Sequence, residues 1–150
     1  MKILKHIIIP LLLLSLIGCS KSKKDKVDNT KPNVVLISPT VSTSVKAGGI
    51  LKVKASVSDN IELKTYVLKI SSSGTKQAKN VEDYTFNSLT DLDAYGKALP
   101  SIEKKKNGEL NFDVLISEKA RYGNYLLSLS VLDQSDNETT LSVEFELSRD

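Results

Sequence analysis

The chain has 150 residues, 40% of them hydrophobic, which is enough for one small domain and a tether. Its only cysteine is Cys19 and its only histidine is His6, so the part after Cys19 can form no disulfide, no Cys/His zinc site and no Ser-His-Asp or Cys-His catalytic pair. From Pro32 onward there are 14 basic and 16 acidic residues, a net charge of −2, and nucleic acid is therefore not an expected partner.

The N-terminus has the pattern of an export signal. Two lysines precede an apolar run of eleven residues, 7–17, which is shorter than the roughly 20 residues that a membrane-spanning helix needs. The run is followed by Gly18 and Cys19, an ending that resembles the bacterial lipobox, in which a small residue precedes a cysteine whose thiol accepts a diacylglyceryl group. The resemblance predicts a signal peptide over residues 1–18 and lipidation of Cys19. The alternative is an ordinary secretory signal with an unmodified cysteine.

Residues 19–31 are rich in Lys, Ser and Asp, the composition of a flexible, disordered tether. Its lysines are expected to be solvated, with contact to anionic head groups as the alternative. Ser20 follows the cysteine, and by resemblance to lipoprotein sorting rules this residue favours the outer membrane. We therefore expect a cell-envelope protein that its lipid holds at the outer membrane. Whether it faces the periplasm or the outside stays open, although the tether lacks the acidic run of some surface-export signals, which favours the periplasm.

Residues 32–150 alternate between apolar and polar side chains with a period of two, which is typical of strands with one buried face. Polar or glycine-containing turns separate the runs. The pattern predicts an all-β antiparallel β-sandwich of about seven strands. The alternating apolar positions are Val34 and Leu36; Leu51, Val53, Ala55 and Val57; Tyr66, Leu68 and Ile70; Leu110, Phe112, Val114 and Ile116; Tyr125, Leu127, Leu129 and Val131; and Leu141, Val143, Phe145 and Leu147.

The stretch 74–108 is the least regular part of the sequence. Tyr84 and Phe86 indicate a short strand. Leu89, Leu92 and Leu99 fit either a brief helix or an irregular crossover, and the pattern does not decide between the two.

Two pairs of segments carry a family likeness: PNVVLISP (32–39) with VSDNIEL (57–63), and GNY (123–125) with VLDQSDN (131–137). They resemble bacterial immunoglobulin-like modules. More narrowly, the chain from 28 to 147 resembles a family of short Gram-negative lipoproteins with a single immunoglobulin-like domain of unknown function. The implied fold is an immunoglobulin-like sandwich over residues 32–150.

The same resemblance assigns roles to particular residues. The segment starting at Gly123 resembles the tyrosine corner of strand F, which implies that the hydroxyl of Tyr125 hydrogen-bonds to a nearby backbone, while Tyr66 or Leu68 fills the position of the core tryptophan. Members of the resembled family often have His after the third strand. This chain has Ser71, Ser72, Ser73 and Gly74 there instead, so we expect no histidine-based metal function.

Acidic and amide side chains cluster in two predicted loops that an immunoglobulin-like topology brings to one end, with Asp28 and Asn29 approaching the same end. Carboxylate and amide oxygens from three segments suit Ca²⁺, which takes about six to eight oxygen ligands. The alternative is that these side chains cap their own turns. The predicted calcium ligands are Asp59, Asn60, Asp133, Asp136 and Asn137.

The predicted function rests on the architecture, because no motif in the sequence indicates a particular ligand or reaction. The neighbouring acids Glu82 with Asp83, and Asp91 with Asp93, do not indicate two carboxylates facing each other across a cleft, so we predict that the chain is not an enzyme. The expected function is a non-catalytic binding or scaffolding module, with another envelope protein as its partner. The alternative is a glycan-binding accessory lipoprotein of a polysaccharide-uptake system, whose stacking surface would be formed by three tyrosines. These are Tyr84, Tyr95 and Tyr122.

Overall fold

The computed structural model describes residues 28–74 and 82–149. The predicted signal peptide, Cys19 and the first part of the predicted tether lie outside the described residues. Within the two described ranges there is no helix long and apolar enough to cross a membrane. The strands are β1 (Asn33–Ser38), β2 (Ser44–Lys46), β3 (Ile50–Ser58), β4 (Leu63–Ser72), β5 (Phe86–Asn87), β6 (Asn107–Leu115), β7 (Gly123–Asp133) and β8 (Glu138–Ser148).

The strands form two sheets that pack face to face. One sheet has the order β1-β3-β6 and is antiparallel throughout. The other has the order β2-β8-β7-β4-β5, and its only parallel pair in the described chain joins β2 to β8. The predicted all-β sandwich of immunoglobulin-like type is confirmed. The three-residue strand β2 is an addition to it, because a segment with Val45 as its only large apolar side chain shows no alternation.

One hydrophobic core lies between the sheets and is made by the inward positions of the alternating runs. Val34 on β1 is buried, whereas Val35 and Ile37, which are equally apolar but lie on the other face, are exposed. On β8 the burial is uneven: Leu141 and Val143 are only half-buried. The reason is that β2 flanks only the last part of β8, from Glu146 to Ser148, and leaves the earlier part as a sheet edge.

The connection between β5 and β6, residues 88–106, is an irregular crossover, so the alternative of a brief helix is wrong. Leu99 is half-buried, but Leu89 and Leu92 are exposed. Ile102 is the crossover residue that enters the core, where a Cβ on Gly108 would come within 2.7 Å of its Cγ2. An isolated apolar side chain such as Ile102 has no periodic signal in the sequence.

The sandwich has two distinct ends. The described chain enters at what we call the proximal end, which also holds the turn 59–62 between β3 and β4 and the turn 134–137 between β7 and β8. The distal end holds the connections 39–43, 47–49 and 116–122. All candidate calcium ligands belong to the proximal end.

Candidate functional site

Three acidic residues from three segments meet at the proximal end. Asp28 precedes β1, Asp59 follows β3, and Asp133 is the last residue of β7. One carboxylate oxygen of each lies within 4.8 Å of those of the other two. We call these residues the acidic trio. The trio contains two of the five predicted calcium ligands and adds Asp28.

Asp133 is the buried member of the trio, with only 1% of its surface exposed. Its Oδ1 accepts hydrogen bonds from the backbone N–H groups of Ser135 and Asn137, each at 2.8 Å, and its Oδ2 accepts one from Asn137 Nδ2 at 2.7 Å. A buried carboxylate requires such compensation, because its desolvation costs several kcal/mol. These bonds fix the turn between β7 and β8.

Asp59 uses one oxygen for its turn and leaves the other unused. Its Oδ1 accepts a hydrogen bond from the backbone N–H of Ile61 at 2.8 Å, the Asx-turn geometry. Its Oδ2 is buried and has no hydrogen-bond partner among the described residues. An unsatisfied buried carboxylate oxygen costs roughly 1–3 kcal/mol or more, and a bound cation is one way to satisfy it.

Asp28 connects the entering segment to both proximal turns. Its Oδ1 accepts hydrogen bonds from the N–H of Thr30 at 3.0 Å and from Nδ2 of Asn60 at 3.1 Å. The bond from the Thr30 backbone, and after it the bond from Asn60, lower the pKa of Asp28 below its ordinary value of 3.8. Asp28 is therefore anionic at neutral pH. Its backbone carbonyl accepts a bond from Asn137 Nδ2 at 3.0 Å, so residue 28 of the predicted tether lies against the sandwich.

The other predicted ligands take different positions. Asn60 and Asn137 lie beside the trio, where their Nδ2 groups act as donors. Asp136 does not join the trio: it adopts a positive φ of 63° in the turn, and its carboxylate pairs with Lys64 on β4. Asn29 is exposed. The structure thus brings the two predicted loops together but directs one predicted carboxylate away.

The acidic trio concentrates negative charge. None of the ion pairs found in residues 28–74 and 82–149 includes a member of the trio. Carboxylates within 4.8 Å of one another repel each other when no cation lies between them. Such an arrangement gains stability from a hard cation.

The tyrosine-corner position is occupied as the family resemblance implies, with one difference. Tyr125 is fully buried, 6.0 Å from Phe145 and 6.4 Å from Tyr84 between ring centroids. Burial raises the pKa of its hydroxyl, which lies beside the backbone of Tyr84 and Arg121. No hydrogen bond of normal geometry to this hydroxyl forms among the described residues. Tyr125 therefore serves mainly as an aromatic core residue.

The three candidate stacking tyrosines do not form a joint platform. Tyr84 is half-buried and donates its hydroxyl to the carbonyl of Leu115 at 3.0 Å. Tyr122 lies under the guanidinium of Arg149, 5.3 Å from the ring centroid. Only Tyr95 exposes most of its surface, 64%. No ring contact in the described part of the chain joins two of the three.

The neighbouring acids act as local structural groups. Asp91 accepts a bond from the backbone of Asn87, and Asp93 accepts two, from the N–H groups of Tyr95 and Lys97. Asp83 pairs with Arg121. These contacts give Asp83, Asp91 and Asp93 local structural roles.

A second candidate surface, at the distal end, was not predicted from the sequence. Ile50 and Leu115 are cross-strand partners on the outer face of the three-stranded sheet, and they are 43% and 53% exposed. Val41, 83% exposed, and the partly exposed Tyr122 lie in distal connections. The one available signal is Leu115 itself, because it occupies a position where the alternation of β6 calls for a polar residue.

The sequence from residue 18 to residue 148 matches the model of a domain of unknown function, DUF4625. The chain belongs to the DUF4625 family. No curated protein matches this DUF4625 sequence.

Several solved structures have a similar arrangement of strands. Fibronectin(III)-like modules of CbhA from Clostridium thermocellum are 19% identical, with a TM-score of 0.45 over 79% of this chain and 47% of that chain. A DUF4466 family protein from Parabacteroides merdae is 12% identical, with a TM-score of 0.48 over 79% and 44%. A Niemann-Pick type C2 protein from Japanese carpenter ant is 11% identical, with a TM-score of 0.47 over 77% and 89%. The DUF4625 chain spans less than half the length of the first two.

Proposed function

We propose that this chain is a non-catalytic binding module held at the outer membrane by a lipid on Cys19. The observation that carries the proposal is the separation of the two ends of the sandwich. The chain enters at the proximal end, and exposed apolar side chains of Val41, Ile50 and Leu115 lie at the distal end. Ile50 and Leu115 are neighbours across the strand pair, and neighbouring exposed apolar side chains favour contact with another molecule.

The tether limits how far the domain can move from the bilayer in this proposal. Residues 19–27 form a stretch of nine residues that can reach at most about 30 Å when fully extended. The proximal end is therefore held within about 30 Å of the bilayer, and the distal surface can extend farther from it. A lipid-held domain with such a surface is suited to docking an envelope partner at high local concentration.

A protein partner fits the distal surface better than a glycan does. Ile50 and Leu115 present aliphatic side chains, which are suited to the apolar centre of a protein interface. Glycan recognition depends on stacking against aromatic rings, and Tyr95, the ring that is mostly exposed, lies against Asp113 on β6 without a second tyrosine beside it. The glycan-binding accessory lipoprotein therefore remains the second hypothesis.

Site-specific crosslinking tests this function. A photoreactive residue at position 41, in the full-length protein expressed in its own cells, is expected to capture one defined protein. Leu115→Asn should weaken this crosslink about tenfold, because loss of a central apolar contact costs more than about 1 kcal/mol of binding free energy. Leu92→Asn is the matched control: Leu92 is similarly exposed, at 56%, but lies on the crossover, and the crosslink should persist.

Three results would contradict the proposal. Equal crosslinking by wild type and Leu115→Asn, at equal thermal stability, would exclude the distal surface. Retention of this protein on a polysaccharide column, together with no protein crosslink from position 41, would favour the glycan hypothesis. Hydrolase activity that disappears with a single Asp or Glu substitution would show that the chain is an enzyme.

A further inference from the structure

We propose that the acidic trio, Asp28, Asp59 and Asp133, binds Ca²⁺, and that the ion clamps the entering segment, residues 28–32, to the two proximal turns. The three carboxylates come from segments that are distant in the sequence and converge to within 4.8 Å. This inference goes beyond the binding function above and is independent of it, because it concerns the opposite end of the domain.

The ligand set specifies the type of metal. Carboxylate oxygens are hard ligands that select Mg²⁺, Ca²⁺ or Mn²⁺ over zinc or copper. The trio sits on two turns and an entering segment, and Ca²⁺ tolerates the irregular geometry of such loop ligands. Mg²⁺ demands a near-ideal octahedron at shorter distances. Ca²⁺ is therefore the expected ion.

A second observation points to a cation independently of the clustering. The Oδ2 atom of Asp59 is buried and has no hydrogen-bond partner among the described residues, although the other oxygen of the same carboxylate is engaged by Ile61. Turn capping needs only that engaged oxygen. Capping alone thus leaves a buried anionic oxygen unexplained, whereas a metal ligand accounts for it.

The clamp follows from the contacts of the entering segment. Asn60 and Asn137 donate to the side chain and the backbone carbonyl of Asp28, and Thr139 Oγ1 donates to the carbonyl of Pro32 at 2.6 Å. These bonds hold the segment against the sandwich and keep Asp28 beside the other two members of the trio. If the segment detaches, Asp28 leaves the site and the ion loses a ligand. Binding of Ca²⁺ and attachment of the segment therefore stabilise each other.

Hydrogen exchange on the full-length protein tests the clamp, with CaCl₂, MgCl₂ or EDTA added in turn. Calcium sites in extracellular modules have dissociation constants of about 10⁻⁴ to 10⁻³ M. At a calcium concentration about ten times the dissociation constant, exchange at the amide of Thr30, which donates to Asp28 Oδ1, should slow about tenfold. The thermal midpoint should rise in CaCl₂ and return in EDTA.

Two isosteric variants make the test specific. Asp59→Asn keeps an oxygen that can accept the bond from Ile61 but removes the charge, and both calcium effects should disappear. Asp136→Asn is the matched control on the neighbouring turn, because Asp136 pairs with Lys64 outside the trio, and both effects should persist. Should Asp59→Asn fail to fold, Asp28→Asn replaces it, since Asp28 lies outside the strands.

Each contrary result would exclude a different part of the calcium proposal. If wild-type exchange and melting are indifferent to CaCl₂, the trio is not a calcium site. If calcium raises the melting midpoint of Asp59→Asn as much as that of wild type, the ion binds elsewhere. If calcium raises the wild-type midpoint without slowing exchange at the amide of Thr30, the ion binds but there is no clamp.

Discussion

At the scale of single residues, Tyr66 links burial to pH. It lies on β4 with 7% of its surface exposed, opposite Val131 of β7. Burial raises the pKa of its hydroxyl to about 12, from an ordinary value of 10.0. The folded protein therefore resists ionisation of Tyr66 in a range where the unfolded chain ionises freely.

The sign of this effect gives a prediction for alkaline pH. Below about pH 10 Tyr66 is neutral in both states and the full stability is present. As the pH rises from about 10 to about 12 the unfolded state loses the proton first, so the free energy of unfolding should fall. Urea denaturation at several pH values measures this fall, and Tyr66→Phe should lose less stability than wild type over the same range. An identical decline in both proteins would assign the effect to other groups.

Asp and Asn side chains also show where sequence reasoning reaches its limit. Asp59, Asn87, Asp93 and Asp133 each accept a hydrogen bond from the backbone N–H two residues ahead. In sequence, a turn former and a metal ligand are therefore the same residue type in the same kind of loop. The meeting of the two loops followed from topology. The orientation of Asp136 away from the acidic trio did not follow from topology, since it depends on a positive φ and on an ion pair with Lys64 of β4.

At the scale of elements, β7 is the centre of the larger sheet. It pairs with β4 on one side and with β8 on the other over most of its length. Its inward side chains Leu127 and Leu129 are fully buried, and the outward Leu126 is half-buried. The contribution of β7 to stability therefore comes mainly from one of its faces.

Two core substitutions test this arrangement. Leu127→Ala and Phe145→Ala should each lower the free energy of unfolding by about 2–5 kcal/mol, through lost apolar burial and a residual cavity. Leu126→Ala, on the same strand but facing outward, should cost less than half as much as Leu127→Ala. Denaturant titration gives all three values. A similar loss at positions 126 and 127 would mean that the inward face is not the stabilising one.

The strands differ in how far their sequences predict them. Long strands such as β3 and β7 were predictable because one face is buried and the other wet, which imposes a period of two. The parallel strand β2 was not predictable, since its position is determined by backbone hydrogen bonds to the end of β8. The crossover was not predictable either, because backbone hydrogen bonds to β4 hold the segment from which Ile102 enters the core. The N–H groups of Lys104 and Ser88 donate to the carbonyls of Leu63 and Leu68, respectively.

At the scale of the whole molecule, the two ends of the sandwich have different roles in the proposals. The proximal end carries the acidic trio, turns that are tied to the entering chain and one exposed apolar side chain, Ile61, whereas the distal end carries several exposed apolar side chains. Lipid attachment at Cys19 can therefore be tested separately from the fold.

The anchor prediction concerns Cys19. Wild-type protein from membranes should begin at residue 19 and carry the added mass of acyl chains, since about 0.8 kcal/mol per buried CH₂ makes two or more chains a stable anchor. Cys19→Ala should lack that mass and should either keep residues 1–18 or be released. Ser20→Ala is the control that should retain the lipid. The anchor is refuted if exported Cys19→Ala, with residues 1–18 removed, still partitions into detergent like wild type.

Strand direction determines how this domain would carry a mechanical load. The long strands β3, β4, β6, β7 and β8 all run between the proximal and the distal end. A partner pulling at the distal end of an anchored molecule would therefore apply force along the strands. The ladder hydrogen bonds lie nearly perpendicular to that force, so they are sheared together instead of being unzipped one at a time.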